Sequence, residues 1–274
     1  MVPTLPDDVF GQLRLGGSFF WAGVSTVGQQ PRLWPYVFLP AILTLGALVG
    51  AITCTWMAFD LVAGWLWQPG PQATALQLAL AFGLRWTLRL LAVFVLSLGA
   101  YLVAGLVAVP FNDRLSEEIE RQIVGPRTDE ADLWVWMGDL WMSFRHTLAA
   151  LVLWLVAMLG LTLLQLVPGL GTALGSLASV VVSTLLLARE LMDGCMSRRR
   201  YGFRHKLHIV RANLWLCIGL GFSAWLCMWI PGLNFVVLPM AVAGGTHMFC
   251  WMEQQALIPA ADGATLPPST SDLA

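Results

Sequence analysis

Two long stretches of this chain carry no charged side chain, and each is broken once, near its middle, by proline and glycine. Thr147 to Ala188 runs forty-two residues around Val167-Pro168-Gly169-Leu170-Gly171, and Ala212 to Met252 runs forty-one around Ile230-Pro231-Gly232-Leu233-Asn234. About 20 apolar residues suffice for one helix to cross a ~30 Å hydrocarbon layer, so each run holds a pair of membrane helices joined at a Pro-Gly tip. Composition agrees: 58% of the residues are apolar, only 11% are charged and the mean hydropathy is +0.72, against roughly 25% charged residues in soluble domains. Proline removes a backbone donor, and irregular backbone survives at membrane depth only where protein or a water-filled cavity lines it. Pro168, Gly169, Pro231 and Gly232 therefore mark the hairpin tips as candidate functional positions.

The rest of the chain reads around these hairpins. Residues 8 to 30 place Phe10, Leu13, Phe20, Val24 and Val27 at helical spacing, the pattern of an interfacial amphipathic helix. Tyr36 to Phe59 is free of charge and flanked by Trp34, Trp65 and Trp67, which predicts a first membrane span belted by tryptophan. Gln68-Pro69-Gly70-Pro71 is a loop. Ala75 to Phe111 is apolar apart from Arg85 and Arg89, with Leu90 to Asn112 as the expected second span. Asp113 to Arg145 turns polar but keeps two apolar stripes, Leu115-Ile119-Ile123 and Trp134-Met137-Trp141-Phe144, which predict two surface helices around Gly125-Pro126. Arg189 to Arg211 is a basic block, and the tail 259–274 has the composition of a disordered segment after a single membrane domain, 1–258. If two spans and two hairpins each return the chain to one side, thirteen of the fifteen cationic residues share that side. The positive-inside rule makes it cytoplasmic, with both termini there.

Several residues are candidates for chemistry. Thr172 and Asn234 stand where N-caps would follow the two tips, and helix N-termini attract anions through unpaired N–H groups and the dipole. The plainer reading makes the tips ordinary turns. Gly171-x-x-x-Gly175 with Ser176 and Ser179 has the spacing of a close helix contact, which would mean assembly, or is a chance run of small residues. Arg198, Arg199 and Arg200 either attract anions or anchor the positive side. Glu117 and Glu120 share a helix face at i, i+3 and either gate or simply face water. The five cysteines lack C-x-x-C spacing and read as packing thiols; His205 and His208 have no further ligands beside them. No G-x-S-x-G, H-E-x-x-H or P-loop motif is present, so neither a catalytic residue nor a cofactor, metal or nucleic-acid partner is implied.

Val109-Pro110-Phe111-Asn112-Asp113-Arg114-Leu115-Ser116-Glu117-Glu118-Ile119-Glu120 resembles the EI24/CysZ family of bacterial inner-membrane proteins, as do, in order, Pro168-Gly169-Leu170-Gly171, Asp193, Phe203, Arg211, Ile230-Pro231-Gly232-Leu233-Asn234 and Leu238-Pro239-Met240-Ala241-Val242. The resemblance, covering residues 10 to 253, implies an all-α membrane fold with two long transmembrane helices and two hemi-penetrating hairpins. It also implies homo-oligomers and sulfate uptake feeding cysteine synthesis. Where the transporting members hold sulfate with a Gly-Leu-Arg-Arg type loop, this chain has Arg32-Leu33-Trp34-Pro35; Arg32 replaces the glycine and both family arginines are absent. A family asparagine becomes Thr44, while Asn234, Glu117 and Glu120 match.

These readings converge on a multi-spanning inner-membrane permease or channel for sulfate or a related small oxyanion, surrounded by membrane lipid. In it Arg32, Thr44, Thr172 and Asn234 are candidates for the anion path, and Glu117, Glu120, Asp193 and Arg211 for gating. The alternative is a non-transporting membrane scaffold of the same fold, favoured by the lost arginines. A lipid-modifying enzyme has only Asp193 and the arginine cluster behind it.

Overall fold

In the computed structural model, which describes residues 4–66, 70, 73–125, 133–165, 169–230 and 233–258, every regular element is helical. They are α1 (Val9–Gln29), a 3-10 turn (Pro31–Leu33), α2 (Trp34–Leu66), α3 (Ala75–Val124), α4 (Leu133–Gln165), α5 (Leu170–Leu191), α6 (Asp193–Arg198), α7 (Phe203–Ala212), α8 (Leu214–Met228) and α9 (Asn234–Gln254). The chain forms two compact units, one from Met1–Trp34 with Asn112–Ala274 and the other from Pro35–Phe111. Among the described residues, four helices are long and apolar enough to cross a membrane, or five if the bent pair α7–α8 counts as one. The expected tail, 259–274, and the tip residues Pro168, Pro231 and Gly232 lie outside the described residues.

The larger unit is built on glycine. Asp8 caps α1 by accepting the Gly11 N–H at 2.7 Å, and the helix then packs on α8 and α9. A Cβ on Gly16 would strike the Leu216 carbonyl, and one on Gly219 the Leu13 carbonyl; one on Gly23 would strike the Gly244 amide, and one on Gly244 the Phe19 carbonyl. On the opposite side, Gly221 meets the Thr184 carbonyl and Gly245 the Leu191 carbonyl. Helices α8 and α9 are thus wedged between α1 and α5, backbone against backbone, a closeness that only the missing Cβ permits. Phe20, Leu191, Met192, Ile209, Leu216, Met248 and Phe249 fill the space around them. Helix α1 is accordingly a core element with one buried face, beyond the interfacial role its periodicity predicts.

The smaller unit exposes most of its apolar side chains, among them Ile42, Val49, Met57, Leu76, Phe82 and Phe94. Its two helices touch through Arg89, whose guanidinium lies 4.8 Å from the Trp56 ring, 4.9 Å from Phe59 and 5.4 Å from Trp86. Aromatic faces offer a cation partial compensation away from water. The apolar stretch Ala75–Ala100 is itself long enough to span despite Arg85 and Arg89, so it begins well before the expected start at Leu90.

Three further expectations change. Asp113–Val124 is no separate surface helix but the final turns of α3, which passes Pro110 unbroken and, with 50 residues, measures ~75 Å; Gly125, at φ +96°, ends it. The second predicted surface helix is likewise the beginning of α4, continuous to Gln165. An apolar stripe reports a buried face, and helices extend beyond the hydrocarbon wherever such a face finds cover. Finally, neither predicted N-cap is one. Gly169, at φ +86°, stands at the head of α5, and Thr172, in its first turn, donates its hydroxyl to the Gly169 carbonyl at 2.7 Å. Asn234 is the first helical residue of α9, preceded by Leu233. Glycine reaches the left-handed backbone without cost, so α5 starts before the threonine.

Candidate functional site

The last turns of α3, which belong to the larger unit, carry Asp113, Glu117, Glu118 and Glu120, and within that unit the basic block answers them. Glu120, 6% exposed, accepts from Arg198 Nη2 at 2.7 Å and Nε at 2.9 Å, and pairs with Arg199 Nη1 at 2.8 Å. Arg198 also reaches the Asp113 carboxylate at 2.8 Å and Ser116 Oγ at 2.8 Å. Arg199 grips Glu253 of α9 through two bonds, 2.7 and 2.5 Å, with its guanidinium 4.5 Å from the Phe249 ring. Ser116 and Thr246 exchange a 2.9 Å hydroxyl contact below this network. The Cys195 thiol is held down to about 7 by a hydrogen bond with Cys250, with the Arg198 charge and Ser116 acting in the same direction against burial.

A second cluster forms around Asp193. Its carboxylate accepts from Arg189 at 3.1 Å, Lys206 Nζ at 2.9 Å and Ser197 at 3.1 Å. Arg189 and Lys206 are almost wholly buried, a position that long cations tolerate only when paired. The basic block Arg189 to Arg211 thus divides: Arg189, Arg198, Arg199 and Lys206 are internal counter-ions, whereas Arg200, Arg204 and Arg211 remain exposed. The predicted pair of glutamates divides as well. Glu120 is buried among arginines, while Glu117, 42% exposed, pairs only locally with Arg114 at 3.0 Å.

Arg32 sits on the 3-10 turn, 79% exposed, with Nη2 3.6 Å from Glu118 Oε1. Glu118, 11% exposed, meets Arg121 at 2.9 Å through its other oxygen. The turn is pinned: Gln30 and Gln122 exchange side-chain amide bonds of 3.1 and 3.0 Å, and the Trp34 indole donates to the Val27 carbonyl at 3.1 Å. Trp34, where the resemblance expects an arginine, thus fastens the loop. Thr44, in the smaller unit, is buried and spends its hydroxyl on the Pro40 carbonyl at 2.7 Å. Thr172 is exposed at the head of α5. The Gly175 contact with Leu161 and Gln165 lies within the α4–α5 hairpin itself, and Ser176 and Ser179 bond their own helix backbone.

Sequence reasoning missed Glu118, Arg121, Ser116, Thr246 and Glu253. The first two were legible as an i, i+3 charge pair; the others come together only in three dimensions.

A family model described as Sulfate transporter CysZ/Etoposide-induced protein 2.4 matches residues 19–239. The chain belongs to this family. Among curated relatives, the sulfate transporter CysZ of Vibrio cholerae is 27% identical over 240 residues, covering 86% of this chain and 93% of that protein. The sulfate transporter CysZ of Pectobacterium atrosepticum is 25% identical over 257 residues, 93% and 89% of the two chains. That of Pseudomonas aeruginosa is 27% identical over 244 residues, 88% and 95%. As a member of the EI24/CysZ family with at least four helices able to cross a bilayer, this is a multi-pass bacterial membrane protein with an all-α fold.

Proposed function

We propose that the protein is an inner-membrane permease or channel that passes sulfate or a closely related oxyanion. The observation that carries this reading is the likeness, over most of both chains, to relatives named sulfate transporters. The geometry supports a first step: Arg32, exposed on a pinned turn, gathers the anion at the interface. Helix heads at Leu170 and Asn234 then offer backbone N–H groups and dipole ends along the path, with Thr172 and Asn234 beside them. The Glu120–Arg198–Arg199 network joins α3 to α6 and α9, the contact that gating would make and break, with Asp193 tying α5 to α7 in support. The basic loops and both termini face the cytoplasm. The exposed apolar surfaces of α2, α3 and α4 meet lipid and further copies of the chain in a homo-oligomer.

Radiolabelled sulfate flux into sealed vesicles of purified protein tests this, beside empty vesicles and an Arg32→Ala variant. Saturable uptake that the variant lowers is expected. No flux from folded, inserted protein would sink the sulfate assignment and leave the scaffold alternative.

A further inference from the structure

The basic block leaves one side of α7 uncompensated. Arg189, Arg198, Arg199 and Lys206 each meet a carboxylate inside the larger unit. Arg204, His208 and Arg211 instead face outward at i, i+4 and i+7, with Arg200 just before the helix, and among the described residues none of the four has an acidic partner. That spacing sets the three side chains of α7 on one stripe about 10 Å long. The opposite face is fixed: Lys206, Ile209 and Val210 are buried, and Lys206 Nζ donates to Asp193 at 2.9 Å and to Ser197 at 2.8 Å. The stripe therefore cannot roll inward to find counter-charge.

Helix α8 sets where the stripe lies. Trp215, Phe222, Leu226 and Trp229 are exposed at helical spacing along it, an apolar strip with tryptophan at both ends, the pattern of a surface that meets acyl chains between interfaces. Helix α7 meets α8 at 96°, and Asn213 holds the corner by donating to the Ile209 carbonyl at 3.2 Å and the Leu257 carbonyl at 3.4 Å. With α8 entering the hydrocarbon at Trp215, the near-perpendicular α7 runs along the headgroup layer, and Arg211 stands four residues before the entry point.

We infer that the outward face of α7 is a docking surface for anionic phospholipid, in which Arg204, His208 and Arg211 hold headgroup phosphates while the exposed face of α8 lies against the acyl chains. Guanidinium forks match phosphate oxygens, and basic side chains beside an apolar helical face attract anionic lipid at a membrane surface. The surface is independent of permeation: a scaffold of the same fold would carry it too.

The test is native mass spectrometry of the purified full chain in detergent, titrated in parallel with phosphatidylglycerol and with phosphatidylcholine of the same acyl chains. The unaltered chain is expected to bind phosphatidylglycerol more tightly. One arginine at an anionic surface contributes about fivefold, so Arg204→Gln or Arg211→Gln is expected to weaken phosphatidylglycerol about fivefold and the two together about 25-fold, with phosphatidylcholine unchanged. Arg114→Gln, which removes an exposed cation already paired with Glu117, is expected to leave the preference as it is. The inference is overturned if the unaltered chain shows no preference, a result that needs no variant to fold. It is overturned equally if the Arg204 and Arg211 variants keep the preference, or if Arg114→Gln lowers it as far and so traces it to net charge. Displacement of the lipid by equal concentrations of glycerophosphoglycerol, the headgroup without acyl chains, would also overturn it, since the stripe would then take a free anion.

Discussion

Helix α9 is largely enclosed by protein, with most of the apolar stretch Phe235–Gln254 buried, whereas in hairpin α4–α5 little of Gly171–Leu191 is buried and α4 shows Leu151, Leu155, Val156, Leu159 and Leu163 to its surroundings. Both hairpins, α4–α5 and α8–α9, are charge-free runs of almost equal length with a Pro-Gly tip. What separates them is where glycine falls. In α8 and α9 the pairs Gly219/Gly221 and Gly244/Gly245 face α1 on one side and α5 on the other, so neighbouring backbones close in from both directions. In α4 a Cβ on Gly160 would meet nothing within 4 Å. An apolar run states only that water is excluded; whether lipid or protein excludes it depends on how near another backbone can come. The charged residues obey the same contrast, since Glu253 and Thr246 fasten α9 to the buried network through Arg199 and Ser116.

The sharpest way to break this contrast is to unpair the network that holds α9. Glu120→Ala leaves Arg198 and Arg199 without a buried counter-ion and is expected to cost about 3–5 kcal/mol, while Glu117→Ala, removing an exposed local pair, stays within about 1 kcal/mol. Equilibrium unfolding in detergent compares them, and equal losses would contradict the division of the two glutamates. Next comes glycine itself. Gly221→Ala drives a methyl group into the Thr184 carbonyl and is expected to cost about 1–3 kcal/mol, whereas Gly160→Ala, with open space before it, should gain up to about 1 kcal/mol from a better helix former. Melting temperatures that move together would show that both hairpins pack alike.

The smallest expected effect concerns pH. The Cys195 thiol lies at about 7 in the folded protein against an ordinary 9.0, so the folded state favours the thiolate. Its contribution is present above pH 9, shrinks as pH falls towards 7 and is lost below. Stability should therefore rise from pH 7 to 9, and Cys195→Ser should flatten that rise; a slope unchanged in the variant would assign it to another group. In transport, Arg32→Ala is expected to lower sulfate flux, which vesicle assays read directly.

The sequence by itself determined that this chain is an all-α membrane protein, where its apolar runs begin and end, and that Pro-Gly tips divide two of them. Charge-free length and backbone chemistry are local properties that need no partner to be read. It also held the order of motifs that places the chain in the EI24/CysZ family. Only the tertiary structure decided that Glu120 is buried while Glu117 is not, because i, i+3 spacing puts both on one helix face and says nothing of what covers it. The basic block reads from the sequence as a patch that attracts anions or anchors the positive side, and only the fold sets Asp113, Glu120, Asp193 and Glu253 against it. Three of those partners stand far off in sequence: Asp113 is 85 positions and Glu120 78 from Arg198, and Glu253 is 54 from Arg199. Electrostatic pairing acts through space, so burial and counter-charge belong to the packing of α3, α6 and α9 and to no single segment of the chain.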